Sequence, residues 1–175
     1  DDTAIVAAVE KALGPIKENS APEKLAEMTR MQEQLRAVQG DAAVGKRHYV
    51  ERCAGCHQLF GEGGNVGPAL DGYDRGNLKF WLTAVLDPSI EIREGFQAHI
   101  AVTDDGRTVT GLIVDESPQT VTLRTPENRD VLLVREELEV FKPLATSLMP
   151  EGLFNGLTDE QLGDLFAYLS QGTRR

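Results

Sequence analysis

The 175 residues are 41% hydrophobic and 26% charged, with a formal net charge of -10. That balance suits one or two small folded domains, and the dispersed acid disfavours nucleic acid or an anionic membrane surface as partner. No apolar run approaches the roughly 20 residues a membrane-spanning helix needs, so no span is expected. Asp1 is not followed by a basic and then an apolar stretch, as expected of a chain whose export signal has been removed or of a domain excised from a longer protein.

Residues 1–40 read as helices. Ile5, Val6 and Val9 mark a short one that stops near Gly14-Pro15. A second starts near Ser20, a candidate N-cap, with Pro22 and Glu23 in its first turn. Leu25, Met28, Met31, Leu35 and Val38 give it an apolar stripe that ends by Gly40. The next helix runs from about Asp41 to Cys53, with Gly45, Tyr49 and Cys53 on one face. Residues 61–76 are glycine-rich and irregular, and another helix spans about Asn77 to Leu86, before Asp87-Pro88.

Past about Glu91 the period changes. Phe96, Ala98, Ile100 and Val102 alternate with polar residues, and Asp104-Asp105-Gly106 makes a turn. Short β-rich runs follow at Thr108–Asp115, Gln119–Thr125, Asp130–Val134 and Leu138–Phe141, which predicts a small antiparallel barrel or meander. The chain ends in a helix that Thr158 and Gln161 start with a capping box, reinforced by a Leu157/Leu162 staple.

The only two cysteines stand in Cys53-Ala54-Gly55-Cys56-His57. A Cys-x-x-Cys can be a redox dithiol, half of a zinc site, or a haem attachment point. Zinc would need two more ligands at matching spacing, and His48, His57 and His99 supply no second pair. A thioredoxin-like dithiol wants a strand before it and a helix after it, the reverse of the order here. Two thiols one helical turn apart, followed directly by an imidazole, suit two thioether bonds and an axial iron ligand. The glycine-rich stretch lacks the Gly-Lys-Ser/Thr of a phosphate loop.

With this motif the chain resembles the class I cytochrome c family. Gly45 and Tyr49 match the packed face of that family's N-terminal helix, and Tyr168 matches the aromatic of the C-terminal helix that crosses it. Gly67-Pro68 resembles the family's Gly-Pro, whose carbonyl holds the axial histidine, and Ser147-Leu148-Met149-Pro150 resembles the segment bearing the axial methionine. The resemblance implies a mainly α chain of class I cytochrome c fold, with an inserted antiparallel β module and extra N-terminal helices. The divisions are 1–40 for the helical extension, 41–90 with 145–175 for the haem domain, and 91–144 for the module, which also looks faintly like an SH3 or Sm-like barrel. The arrangement across about residues 41–172 is similar to haem-binding domains of planctomycete and verrucomicrobial proteins, which often end larger chains.

The implied cofactor is one covalently attached haem c held by Cys53, Cys56, His57, Pro68 and Met149, with His57 and Met149 on the iron. Met28 and Met31 fall on an apolar stripe, where methionine fills gaps. His48, expected to face solvent, and His99, on the polar face of its strand, stand as alternatives to Met149. The implied role is single-electron transfer between redox protein partners, one of them a fused or associated dehydrogenase, rather than enzymatic catalysis. A haem-based sensor or peroxidase-like domain with a displaceable Met149 is the alternative. The implied location is periplasmic or otherwise exported.

Overall fold

The computed structural model describes residues 20–172; the short helix expected at Ile5–Val9 lies outside them. The described chain divides into two units, residues 91–148 and residues 20–90 with 149–172.

The second of these holds four helices. Helix α1 (Pro22–Arg36) has Ala21 rather than Ser20 at its N-cap, with no side-chain cap, and Pro22 supplies the preset φ at its start. Its buried face carries Met28, Met31 and Leu35. Helix α2 (Ala42–Arg52) is started by Asp41, whose carboxylate accepts from the amides of Ala43 and Val44. Asn77 does the same for α3 (Leu78–Leu86) through the Phe80 amide. The capping box on α4 (Asp159–Leu169) is formed in both directions between Thr158 and Gln161. These helices close around Tyr49, Leu59, Trp81, Leu82, Leu162, Leu165 and Leu169.

Helices α2 and α4 cross at Gly45. A Cβ added there would overlap the Asp164 carbonyl and touch Tyr168 Cβ. A glycine inside a helix costs about 0.5–1 kcal/mol against alanine, so its presence marks the approach of two backbones. The Asp41 amide donates to the Asp164 carboxylate, adding a polar tie beside the crossing.

The 91–148 unit is a five-stranded antiparallel sheet of β3 (Ala98–Thr103), β4 (Thr108–Glu116), β5 (Thr120–Arg124), β6 (Asp130–Val134) and β7 (Leu138–Pro143), ordered β6-β5-β4-β3-β7. A two-residue hairpin of the helical unit, β1 (Gln58–Leu59) with β2 (Glu62–Gly63), precedes it in the chain. Strands β3 to β6 form a meander, and β7 returns to pair with β3, so β6 and β7 are the sheet edges. The sheet is therefore an open one rather than the closed form of a barrel. Alternation buries Val121 and Leu123 of β5, which join Ala101, Val109 and Leu133 in a core of the sheet's own. Leu123→Ala should cost about 2–5 kcal/mol, read as a lower midpoint in urea unfolding followed by strand-sensitive circular dichroism. A loss under about 0.5 kcal/mol, the size of an ordinary surface substitution, would mean the cluster packs loosely.

The expectation of a mainly α chain is wrong. Among the described residues 34% are helical and 23% are strand. The β-branched runs after Glu91 build a separate sheet with its own buried cluster, which makes them a unit in their own right rather than a decoration on a helical protein.

Candidate functional site

Tyr49 is where α2 turns into the Cys53–His57 segment. Its carbonyl accepts from the amides of Cys53 and Ala54, and the Cys53 carbonyl accepts from the amides of Cys56 and His57. Beyond the end of α2 at Arg52 these bonds wind the chain through one more turn, which carries Cys53, Cys56 and His57. The Tyr49 hydroxyl donates to the His57 carbonyl at 2.7 Å and lies 3.3 Å from the Glu62 carbonyl. Burial pushes its phenol well above the ordinary value, so it stays a donor. Tyr49→Phe would leave the His57 carbonyl without this partner in a buried setting and should cost about 1–3 kcal/mol in denaturant unfolding. An unchanged midpoint would show that water replaces the hydroxyl.

The glycine-rich stretch folds back against that turn. The Gly64 amide donates to the Ala54 carbonyl and the Gly67 amide to the Cys56 carbonyl, at 2.8 and 2.7 Å. A Cβ at Gly64 would overlap the Gly55 carbonyl, and one at Gly67 would overlap the His57 imidazole. The glycines thus serve close packing around the motif, which disposes of the phosphate-loop reading.

His57 Nδ1 donates to the Pro68 carbonyl at 2.9 Å; a carbonyl can only accept, so the ring is the Nδ1–H tautomer. Nε2 then presents its lone pair and, among the described residues, carries no hydrogen bond. Burial holds the imidazole below its ordinary pKa, opposed in part by the Pro68 bond, which favours the neutral, ligating form.

Cys53 and Cys56 are both half-buried and are not joined as a disulfide. Burial raises Cys53 to about 11, with Arg52 pulling weakly the other way, and raises Cys56 as well. Redox-active Cys-x-x-Cys pairs have depressed thiol values, so the direction here speaks against a dithiol oxidoreductase. Among the described residues no three His, Cys, Asp or Glu side chains converge as a metal cluster.

Met149 is partly buried against the same apolar cluster that Cys53 and Ala54 pack on. The Arg52 guanidinium, one position before Cys53, donates to the carbonyls of Leu153 and Asn155, both at 3.1 Å, and so ties the motif to the segment after Met149. Nothing in the sequence marks Arg52 for this, because the partners are backbone atoms about a hundred positions away. Met28 and Met31 are buried core residues. His48 is buried, contrary to its expected solvent-facing place, because three residues from Gly45 it falls on the packed side of α2. Its Nδ1 lies 3.9 Å from the Glu51 carboxylate, and among the described residues neither ring nitrogen has a hydrogen-bond partner. His99, on β3, stacks on Phe141 with ring centres 5.3 Å apart.

A haem fits these residues on one structural observation above others. The His57 ring is oriented by Pro68 and cradled by a glycine where any larger residue would displace it, leaving Nε2 for iron. Among the described residues, no helix is long and apolar enough to cross a membrane.

Residues 42–110 match the family model for Cytochrome c. The matched span takes in Cys53, Cys56, His57 and Pro68 and stops short of Met149. It supports a c-type cytochrome and, in general terms, haem-based electron transport with iron binding. No curated protein matches the chain.

Proposed function

We propose that this chain is a monohaem c-type cytochrome that passes single electrons between redox proteins, with His57 and Met149 as axial ligands. The supporting observation is the His57 ring, held by the Pro68 carbonyl at 2.9 Å immediately after two thiols on one turn. When bound, haem supplies a redox iron that changes by one electron between ferric and ferrous. Cys53 and Cys56 would anchor it through thioethers, and the Arg52 contacts would hold the Met149 segment beside the motif.

His57 brings a neutral nitrogen whose basicity the Pro68 carbonyl raises, and Met149 brings a soft thioether that favours the reduced state. With both positions taken by the chain, substrate has no open coordination site, so the role is carriage rather than catalysis. Covalent attachment of this kind implies loading outside the cytoplasm, in a periplasmic or otherwise exported location. The net charge of -10 favours donor and acceptor proteins with basic or mixed-charge docking faces. One of these, on this reading, is a dehydrogenase fused to or associated with the chain.

The test is the absorbance spectrum of the ferric holoprotein with and without cyanide, and of the ferrous holoprotein with and without carbon monoxide. The proposed carrier shows a low-spin spectrum, a methionine–iron charge-transfer band and no rapid ligand uptake. Rapid uptake by the untreated protein would instead point to a sensor or peroxidase-like domain with a displaceable Met149.

A further inference from the structure

Lys24, in the first turn of α1, has no part in the site described above, yet it sits at a junction of the chain. Its ammonium donates to Asp87 Oδ1 at 2.8 Å and to Glu151 Oε1 at 2.7 Å. Asp87 is fully buried and closes α3, three positions before the chain leaves the helical unit at residue 90. Glu151 stands two positions after Met149, where the chain comes back from the sheet. One cation therefore ties the outgoing and returning ends of the 91–148 excursion together.

The lysine is placed by a helix that cannot easily shift. Met28, Met31 and Leu35 anchor α1 in the core, and the Thr83 hydroxyl of α3 approaches Met28 Sδ at 3.8 Å. Partial burial pulls the Lys24 ammonium down, but the two carboxylates outweigh it and the group ends above its ordinary value. It stays charged at any physiological pH. The returning segment is fixed further on by Arg52 at residues 153 and 155, and Lys24 adds a tie at Glu151, two positions after Met149. The pairing of β3 with β7 already brings positions 98 and 144 together, and Lys24 adds a tie nearer Met149, on the helical unit's side.

We propose that Lys24 is a positioning residue for Met149: by bridging Asp87 and Glu151 it holds the returning segment in place and slows release of the thioether. This rests on Met149 being the sixth ligand.

The experiment measures the limiting rate of cyanide uptake by the ferric holoprotein, together with its charge-transfer band, in Glu151→Gln, Lys24→Met, Lys24→Arg and Met149→Ala. Glu151 is half-exposed, so Glu151→Gln cuts only the arm to the returning segment and leaves Asp87 paired. It should raise the rate about two- to fivefold, the size that coupling of a partly exposed pair allows. Lys24→Met removes both arms and should raise it about tenfold or more, while Lys24→Arg stays near the parent. Wild-type rates in both Glu151→Gln and Lys24→Met would overturn the proposal. If Lys24→Met does not fold, because it takes the cation from a buried carboxylate, Glu151→Gln decides alone. Should Met149→Ala keep the parent's band and rate, the ligand assignment itself fails and this proposal with it. Should Met149→Ala open the iron while Glu151→Gln changes nothing, only the role of Lys24 fails.

Discussion

Met149→Ala should lower the reduction potential of the holoprotein by on the order of 100 mV, within the roughly 0.8 V that axial ligands command. A thioether is a soft donor that stabilises the reduced metal, and an alanine offers water or nothing in its place. The side chain is partly buried against the apolar cluster on which Cys53 and Ala54 also pack. The same variant should lose the methionine–iron band and take up cyanide quickly. Potentiometric titration with spectra reads both effects. An unchanged potential and spectrum would move the ligand to His48, whose buried ring has neither nitrogen hydrogen-bonded among the described residues, or to His99.

Gly45→Ala should destabilise the protein by about 2 kcal/mol net. Helix propensity alone favours the alanine by up to about 1 kcal/mol. Against that, the new methyl would overlap the Asp164 carbonyl, and a backbone atom cannot swing aside as a side-chain end can. Forcing such a contact costs on the order of 3 kcal/mol, since α2 and α4 must separate and loosen the Tyr49–Tyr168 pair at 5.4 Å. The sign decides the matter. A lowered midpoint in chemical denaturation supports the tight crossing, and a raised one would mean that the helices have room. A secondary loss of redox homogeneity is expected, because α2 leads directly into Cys53.

Local signals were legible and distant ones were not. Thr158 and Gln161 bond across three positions, and Asp41 and Asn77 cap within their own helices, so their effects can be read without knowing the fold. The same holds for Cys53, Cys56 and His57, which a single turn presents together. Ser20 was a plausible cap that the backbone did not use; the helix begins at Pro22, with Ala21 before it. His48 misleads for a related reason, since its exposure depends on which side of α2 receives α4. The bonds from Lys24 to Asp87 and Glu151 join residues 63 and 127 positions apart, and no periodicity predicts them. The strands were visible as alternating runs, whereas the placing of β7 beside β3 depends on the tertiary return of the chain. The chain is not mainly α because the β-branched runs after Glu91 form a sheet with a core of its own, apart from the Cys53–His57 segment.

The most direct test of the central claim is the intact mass of the denatured protein after expression with c-type haem maturation machinery. One covalently attached haem on Cys53 and Cys56 predicts a mass of chain plus one haem that survives denaturation, with the added mass confined to the peptide containing Cys53–His57. A bare chain with two alkylatable thiols, or a haem lost on denaturation, would contradict it.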